Sequence, residues 1–162
     1  ADAAVGTGSA SKVGVSITAN ETIDMNFYIN KSDMKDGCTV QVKRNGNVLK
    51  AGQYTYTDMG DGRMRVRVSV NADKINDVIS VQVMKADGTA AYAARSLSVR
   101  HYAGLILESN NSETTKALLI AMLDYGTLAQ MLADANGGAG VTDPSNRYIT
   151  AEQRELYDAK WN

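Results

Sequence analysis

Apolar and polar residues alternate along the first hundred residues, which is the period of half-buried β-strands. The clearest case is residues 23–29, where Ile23, Met25, Phe27 and Ile29 share one face and Asp24, Asn26 and Tyr28 share the other. Similar runs occur at residues 13–17, 38–42, 48–56, 64–70, 78–84 and 89–99. This pattern predicts about seven short antiparallel strands, arranged as a sandwich or a small barrel.

Turn signals separate these runs. Asn45-Gly46 lies between two strand-like runs and predicts a tight hairpin, and Asp87-Gly88 predicts a second one. Residues 58–62 (DMGDG) form another turn signal, and residues 71–77 (NADKIND) predict one short helical turn. The strands are therefore expected to be joined by short connections.

The period changes at residues 98–135, which predict two helices. The shorter one covers about residues 99–108; the longer one begins near Asn111-Ser112 and ends at Asn136-Gly137-Gly138. One apolar stripe steps by four and three along the longer helix, through Leu118, Met122, Tyr125, Ala129 and Leu132. A second row, Leu119, Leu123, Gly126 and Gln130, lies beside it.

A helix with so much apolar surface is predicted to be buried on more than one side. We expect it to be the strut against which the sheets and the shorter helix pack. Gly126 costs about 1 kcal/mol relative to alanine inside a helix. We interpret it as the point where a neighbouring backbone approaches closely.

The expected fold class is therefore α+β, an antiparallel β-sandwich followed by C-terminal helices packed against it. The 162 residues suit one domain. We divide them into residues 1–11, a linker or frayed N-terminus; 12–135, a single module; 136–149, a Gly-rich loop; and 150–162, a terminal helix opened by a capping box.

Charge and composition exclude several function classes. The formal net charge of −1 argues against general binding to nucleic acid or to anionic membranes. No apolar run approaches the ~18–20 residues needed to span a bilayer, so membrane insertion is not expected. The N-terminus has no signal-peptide pattern, so any leader has been removed or lies outside this sequence. One cysteine allows no internal disulfide.

Candidate chemistry is sparse. Cys38 and His101 are the sole members of their residue types and are the one possible nucleophile pair, but a cysteine beside Val40 and Val42 is more typical of a core position. They are too few for zinc. The carboxylates of Asp58, Asp61, Asp73, Asp77 and Asp87 lie in predicted turns. Turn chemistry explains them better than a glycosidase pair or calcium, although calcium in these turns stays open. No catalytic residue, metal site or cofactor is predicted.

Two surface rows remain. Arg63, Arg65 and Arg67 form an outward basic stripe, which suits either an acidic polymer or protection of a strand edge. Tyr28, Tyr54 and Tyr56 point away from the predicted core and are the candidate ligand-binding residues, as a platform for sugar rings. Cross-strand aromatic pairing explains the same residues. If they bind sugar, the three rings should be coplanar and exposed.

The helical motifs carry a family resemblance. Residues 98–107 (SVRHYAGLIL) and 118–130 (LLIAMLDYGTLAQ), with the strand at 23–29 (IDMNFYI), resemble an accessory module of large secreted and cell-surface multimodular proteins of Gram-positive gut bacteria. The resemblance covers about residues 13–132. This chain departs from the pattern at His101, where an acidic residue is common, and at Met131-Leu132, where an aromatic is usual.

The resemblance implies a non-catalytic extracellular module with a structural or protein-interaction role. Its implied partners are neighbouring modules or cell-surface proteins. The alternative is a carbohydrate-binding module that assists polysaccharide degradation, with glycans as partners. A protein-contact module should expose an apolar patch of several hundred Å².

Overall fold

The computed structural model describes residues 11–19, 22–108 and 112–135. In this part of the chain the strands are β1 (Gly14–Ala19), β2 (Ile23–Asn30), β3 (Thr39–Arg44), β4 (Asn47–Val48), β5 (Thr55–Asp58), β6 (Arg63–Val70), β7 (Ile79–Met84) and β8 (Arg95–Leu97). The helices are α1 (Val99–Leu107) and α2 (Glu113–Ala135). The predicted N-terminal linker (all but residue 11), the Gly-rich loop and the terminal helix lie outside the described residues.

The strands form two antiparallel four-stranded sheets, in the orders β1-β2-β6-β5 and β4-β3-β7-β8. This confirms the predicted α+β class with a sandwich-like arrangement. Residues 48–56 are not one strand, because β4 and β5 belong to different sheets. The chain leaves the second sheet after Val48 and enters the first at Thr55, which raises the strand count from about seven to eight.

The core follows the predicted alternation. Met25, Phe27 and Ile29 of β2 are at most 1% exposed, and the inward valines and isoleucine of β6 and β7 are at most 2% exposed. Because side chains alternate across a strand, the polar residues between them fall on the outer face. The strand pattern therefore predicted the inner face of these strands correctly.

The Asn45-Gly46 hairpin is confirmed. Asn45 has φ +50° and Gly46 has φ +83°, the left-handed pair that a type I′ turn requires. The Asp87-Gly88 turn also forms, with Lys85 N–H donating to the Thr89 carbonyl at 2.7 Å. The strand predicted after it is much shorter than residues 89–99, since only β8 and a single bridge at Ala90 pair there.

The described residues belong to two compact units. One contains residues up to 69 and residues 77–97, and so carries both sheets; the other contains residues 70–76 and the chain from residue 98. In the second unit α2 packs against α1 and against a 3-10 turn at Ala72–Lys74. That turn confirms the short helical turn predicted between two strands.

Both helices begin at serine caps. The Ser98 hydroxyl accepts from His101 N–H at 3.0 Å, and the Ser112 hydroxyl accepts from Thr115 N–H at 3.2 Å. These bonds satisfy amides that have no partner within the first helical turn. The predicted starts of both helices are confirmed to within two residues.

The predicted buried stripe of α2 is wrong. Among the α2 residues whose burial the structure describes, Ala117, Ile120, Leu123 and Gly126 are buried, and Leu123 and Gly126 belong to the predicted second row. By contrast, Leu118, Tyr125 and Leu132 of the predicted stripe are 55%, 65% and 64% exposed. The packed side of α2 therefore combines the large residues Ile120 and Leu123 with Gly126, where a neighbouring element approaches closely. The number of large apolar residues on a side does not reveal this arrangement.

Candidate functional site

Part of the outer face of the β1-β2-β6-β5 sheet is a network of hydrogen-bonded polar side chains. Asn26 is fully buried although it points outward. Its side chain accepts from Arg67 Nε at 2.8 Å and donates to Thr18 Oγ1 at 2.9 Å. Asp24 accepts from Ser69 Oγ at 2.6 Å. These side chains form hydrogen bonds with one another, so this part of the face stabilises the sheet.

Tyr28 lies on this same outer face and is half-buried. Ser16 Oγ donates to its hydroxyl at 3.3 Å, and the guanidinium of Arg63 lies 4.7 Å from the ring centroid. Arg63 is also paired with Asp61 at 2.7 Å. The ring of Tyr28 is therefore covered by a cation of the protein itself. Two members of the arginine stripe have partners: Arg63 pairs with Asp61 in the adjoining turn, and Arg67 donates to Asn26 of β2.

Tyr56 lies on the opposite side of the sheet. It pairs with the fully buried Val66, so its side chain is on the inward side of edge strand β5, where it is 44% exposed. Its hydroxyl donates to Met34 Sδ at 3.4 Å. Burial raises the pKa of Tyr56, and the neighbouring Tyr54 and Asp58 raise it further.

The three candidate tyrosines therefore do not share one platform. Tyr54 raises the pKa of Tyr56, so these two side chains are near each other, whereas Tyr28 faces away from the side that carries Tyr56. The sequence did not reveal this arrangement, because the side on which Tyr56 lies depends on the register in which β5 pairs with β6. A ligand-binding role for each tyrosine stays a prediction.

The carboxylates in these turns form hydrogen bonds and ion pairs with other groups of the protein. Asp58 binds Lys31 and accepts from Gly60 N–H at 2.9 Å, and both bonds lower the pKa of this carboxyl. Arg63 lowers the pKa of Asp61 in the same way. Asp77 pairs with Arg44 at 2.8 Å. Among the residues that the structure describes, no three His, Cys, Asp or Glu side chains are grouped as metal ligands.

The two members of the candidate nucleophile pair, Cys38 and His101, lie in different parts of the chain. Cys38 is half-buried just before β3. His101 is exposed on the first turn of α1. Neither residue has a hydrogen-bonded side-chain partner that would activate it, as far as the described part of the chain shows.

The structure shows a groove that the sequence did not reveal. It has a volume of about 460 Å³ and follows β3 at Val40 and Val42. Leu49, Tyr54 and Lys85 are among the residues that line it. We call this the β3 groove. The uncharged residues 39–42 are evident in the sequence. The sequence does not show that β4 pairs only with Lys43 and Arg44 and so leaves this part of β3 without a neighbouring strand on that side.

A second unexpected surface is the exposed α2 face, defined here by Leu118, Tyr125, Leu128 and Leu132. Their exposed fractions lie between 55% and 65%. Among the described helices, none is both long and apolar enough to cross a membrane. Four large apolar side chains in water on one helix are the kind of surface that marks a contact with another molecule.

A comparison with protein-family models finds no match for this chain, and a comparison with curated proteins finds none either.

Proposed function

We propose that this chain is a non-catalytic accessory module of a secreted or cell-surface bacterial protein, and that it binds another protein through the exposed α2 face. The observation that carries the proposal is the exposure of Leu118, Tyr125, Leu128 and Leu132. The helical motifs that resemble modules of multimodular surface proteins support the location and the accessory role.

The composition of α2 supports the proposal that a partner covers its exposed face. Between Ala117 and Ala133 the one charged residue is Asp124. A helix that faces water on one side normally carries charged residues there. Moving apolar area out of water contributes about 25 cal/mol per Å². A partner that covers this face therefore gains free energy without having to displace ion pairs.

The spacing indicates what kind of partner fits. Leu118, Tyr125 and Leu132 recur every seven residues, and the half-buried Met122 and Ala129 lie between them. This four-and-three repeat is the seam along which two helices pack. The partner is therefore an amphipathic helix, supplied by a neighbouring module or by a cell-surface protein.

The tyrosines favour protein contact over the carbohydrate-binding alternative. A flat sugar platform requires the three rings on one face, and Tyr28 and Tyr56 lie on opposite sides of one sheet. Tyr28 is also covered by Arg63. Two of the candidate carboxylates that a glycosidase pair could use are held in ion pairs, Asp58 with Lys31 and Asp61 with Arg63.

The proposal is tested by crosslinking followed by affinity measurement. A photo-crosslinking amino acid replaces Tyr125, and the chain is incubated with the cell-surface fraction of its source bacterium. We expect one saturable crosslinked protein, which is then purified. Leu118→Gln and Leu132→Gln should each weaken its binding about tenfold, the effect of losing roughly 1.4 kcal/mol.

Leu105→Gln is the matched control. Leu105 is a 45% exposed leucine on α1 and lies outside the exposed α2 face. This variant should change the affinity less than about twofold. Equal effects of all three substitutions, or no saturable crosslink at position 125, would contradict the proposal.

A further inference from the structure

We propose that the β3 groove binds an extended segment of another polypeptide, which adds as a strand to the open edge of β3. The site lies in the sheet β4-β3-β7-β8 and is distinct from the exposed α2 face.

Two hydrogen bonds fix that direction. Leu49 N–H donates to the Val42 carbonyl at 2.8 Å, so the Val42 carbonyl points away from β7. Ala91 N–H donates to the Val83 carbonyl at 2.8 Å, so the Val83 carbonyl points away from β3. Peptide groups alternate in direction along a strand, and Val40 is opposite Val83. The N–H and C=O of Val40 therefore also point away from β7.

Nothing in the described part of the chain pairs with this stretch of the edge. β4 covers only Lys43 and Arg44, and the chain turns away after the Leu49 bond. In the described part of the chain, the N–H and carbonyl of Val40 and the N–H of Val42 therefore have no backbone hydrogen-bond partner. The two N–H groups are two residues apart along β3. An extended peptide presents acceptors and donors at the same spacing, which is the basis of strand addition.

The edge lacks the features that normally block strand addition. Residues 39–42 (TVQV) contain neither a charged residue nor proline. By contrast, the edge strand β8 has three residues and carries Arg95 opposite the buried Val81. An inward-pointing charge and a short length are both ways to discourage pairing.

The walls of the groove define the peptide. Leu49 and Tyr54, which follow β4 in the chain, give the lining apolar surface, and Lys85, which follows β7 on the other side of β3, gives it a positive charge. We therefore assign an extended segment with one apolar side chain against Leu49 and Tyr54 and one acidic side chain near Lys85.

The experiment uses the 162-residue chain and a panel of synthetic octapeptides in which valine and threonine alternate and a glutamate stands at one end or the other. Binding is followed by amide NMR. We expect saturable binding and slowed hydrogen exchange at the Val40 and Val42 amides. Methylating alternate peptide nitrogens should weaken binding at least tenfold, because it removes main-chain donors and leaves the side chains in place.

Two variants test the site on the protein. Val40→Pro removes the open N–H at a position where the β7 ladder does not use it, and should weaken binding at least tenfold. Tyr54→Ala tests the wall without changing the backbone and should weaken binding about fivefold. Tyr28→Ala, in the other sheet, is the matched control and should leave the affinity within about twofold.

Three results would overturn the proposal. The first is that no peptide of the panel protects the Val40 and Val42 amides, because main-chain pairing does not depend on one sequence. The second is equal binding of the methylated and unmethylated peptides. The third is that a cello-oligosaccharide perturbs Val40 and Tyr54 while the peptides do not, which would assign the groove to glycans.

Discussion

Gly126 of α2 lies directly against Ile75, with no room for a side chain between them. A Cβ built on Gly126 would be 3.2 Å from Ile75 Cγ1, closer still to Cδ1, and 3.1 Å from the Ala72 carbonyl oxygen. Ile75 is fully buried. The predicted close approach at Gly126 is therefore confirmed, and it explains a glycine in the middle of a helix.

The first prediction concerns this contact. Gly126→Ala should lower the free energy of unfolding by about 1–2 kcal/mol, because overpacking costs more than the gain in helix propensity returns. Gly104→Ala is the matched control, since Gly104 is also helical and has nothing within 4 Å of a built Cβ. This control should be neutral or stabilising by up to about 1 kcal/mol. Urea denaturation compares the two, and equal effects would refute the packing argument.

The second prediction concerns the buried amide of Asn26. Asn26→Ala should lower the free energy of unfolding by about 2–3 kcal/mol, because it leaves Arg67 Nε without its acceptor and opens space in a buried position. Ser16→Ala is the control. Ser16 contacts Asn26 Nδ2 at 3.4 Å, a long and weak bond. A loss for Ser16→Ala as large as that for Asn26→Ala would show that the network has no dominant member.

Sequence patterns predicted the parts of the fold that depend on local chemistry. The inward face of β2, the Asn45-Gly46 turn and the Ser112 cap of α2 each follow from residues close together in sequence. The division of residues 48–56 between two sheets was missed, because it depends on strand partners distant in sequence.

The candidate surfaces were harder to predict for the same reason. The α2 stripe was correctly recognised as apolar, but its exposure depends on which side of the helix small residues such as Gly126 bring into contact. The β3 groove depends on where β4 stops pairing. Neither property is encoded in the periodicity of a single segment.

The third prediction separates the two roles of Asn45. Its backbone has φ +50°, and its side-chain Oδ1 accepts from Val78 N–H at 2.9 Å. Asn45→Gly keeps the left-handed conformation and loses the side-chain bond, which should cost about 1 kcal/mol. Asn45→Ala loses both and should cost about 2–3 kcal/mol. Thermal or urea unfolding measures the difference, and equal losses would show that backbone strain contributes nothing at this turn.

The fourth prediction concerns acid stability. The Lys31 ammonium, followed by the Gly60 N–H, holds the pKa of Asp58 below its ordinary value of 3.8. Asp61 and Asp87 are shifted in the same direction by Arg63 and by Thr89. A carboxyl whose pKa is lower in the folded state stabilises the fold above its unfolded pKa. That stabilisation should be lost as the pH falls from about 4 through the folded-state pKa values.

Urea unfolding between pH 7 and acid pH measures this dependence. Asp58→Asn should lower the free energy of unfolding at neutral pH and flatten its decline below about pH 4, because one of the shifted carboxyls is gone. In a Lys31→Gln background the same substitution should have a smaller effect, since the first cause of the Asp58 shift has been removed. An effect of Asp58→Asn that is unchanged by Lys31→Gln would mean that this ion pair contributes nothing, as is common for exposed pairs.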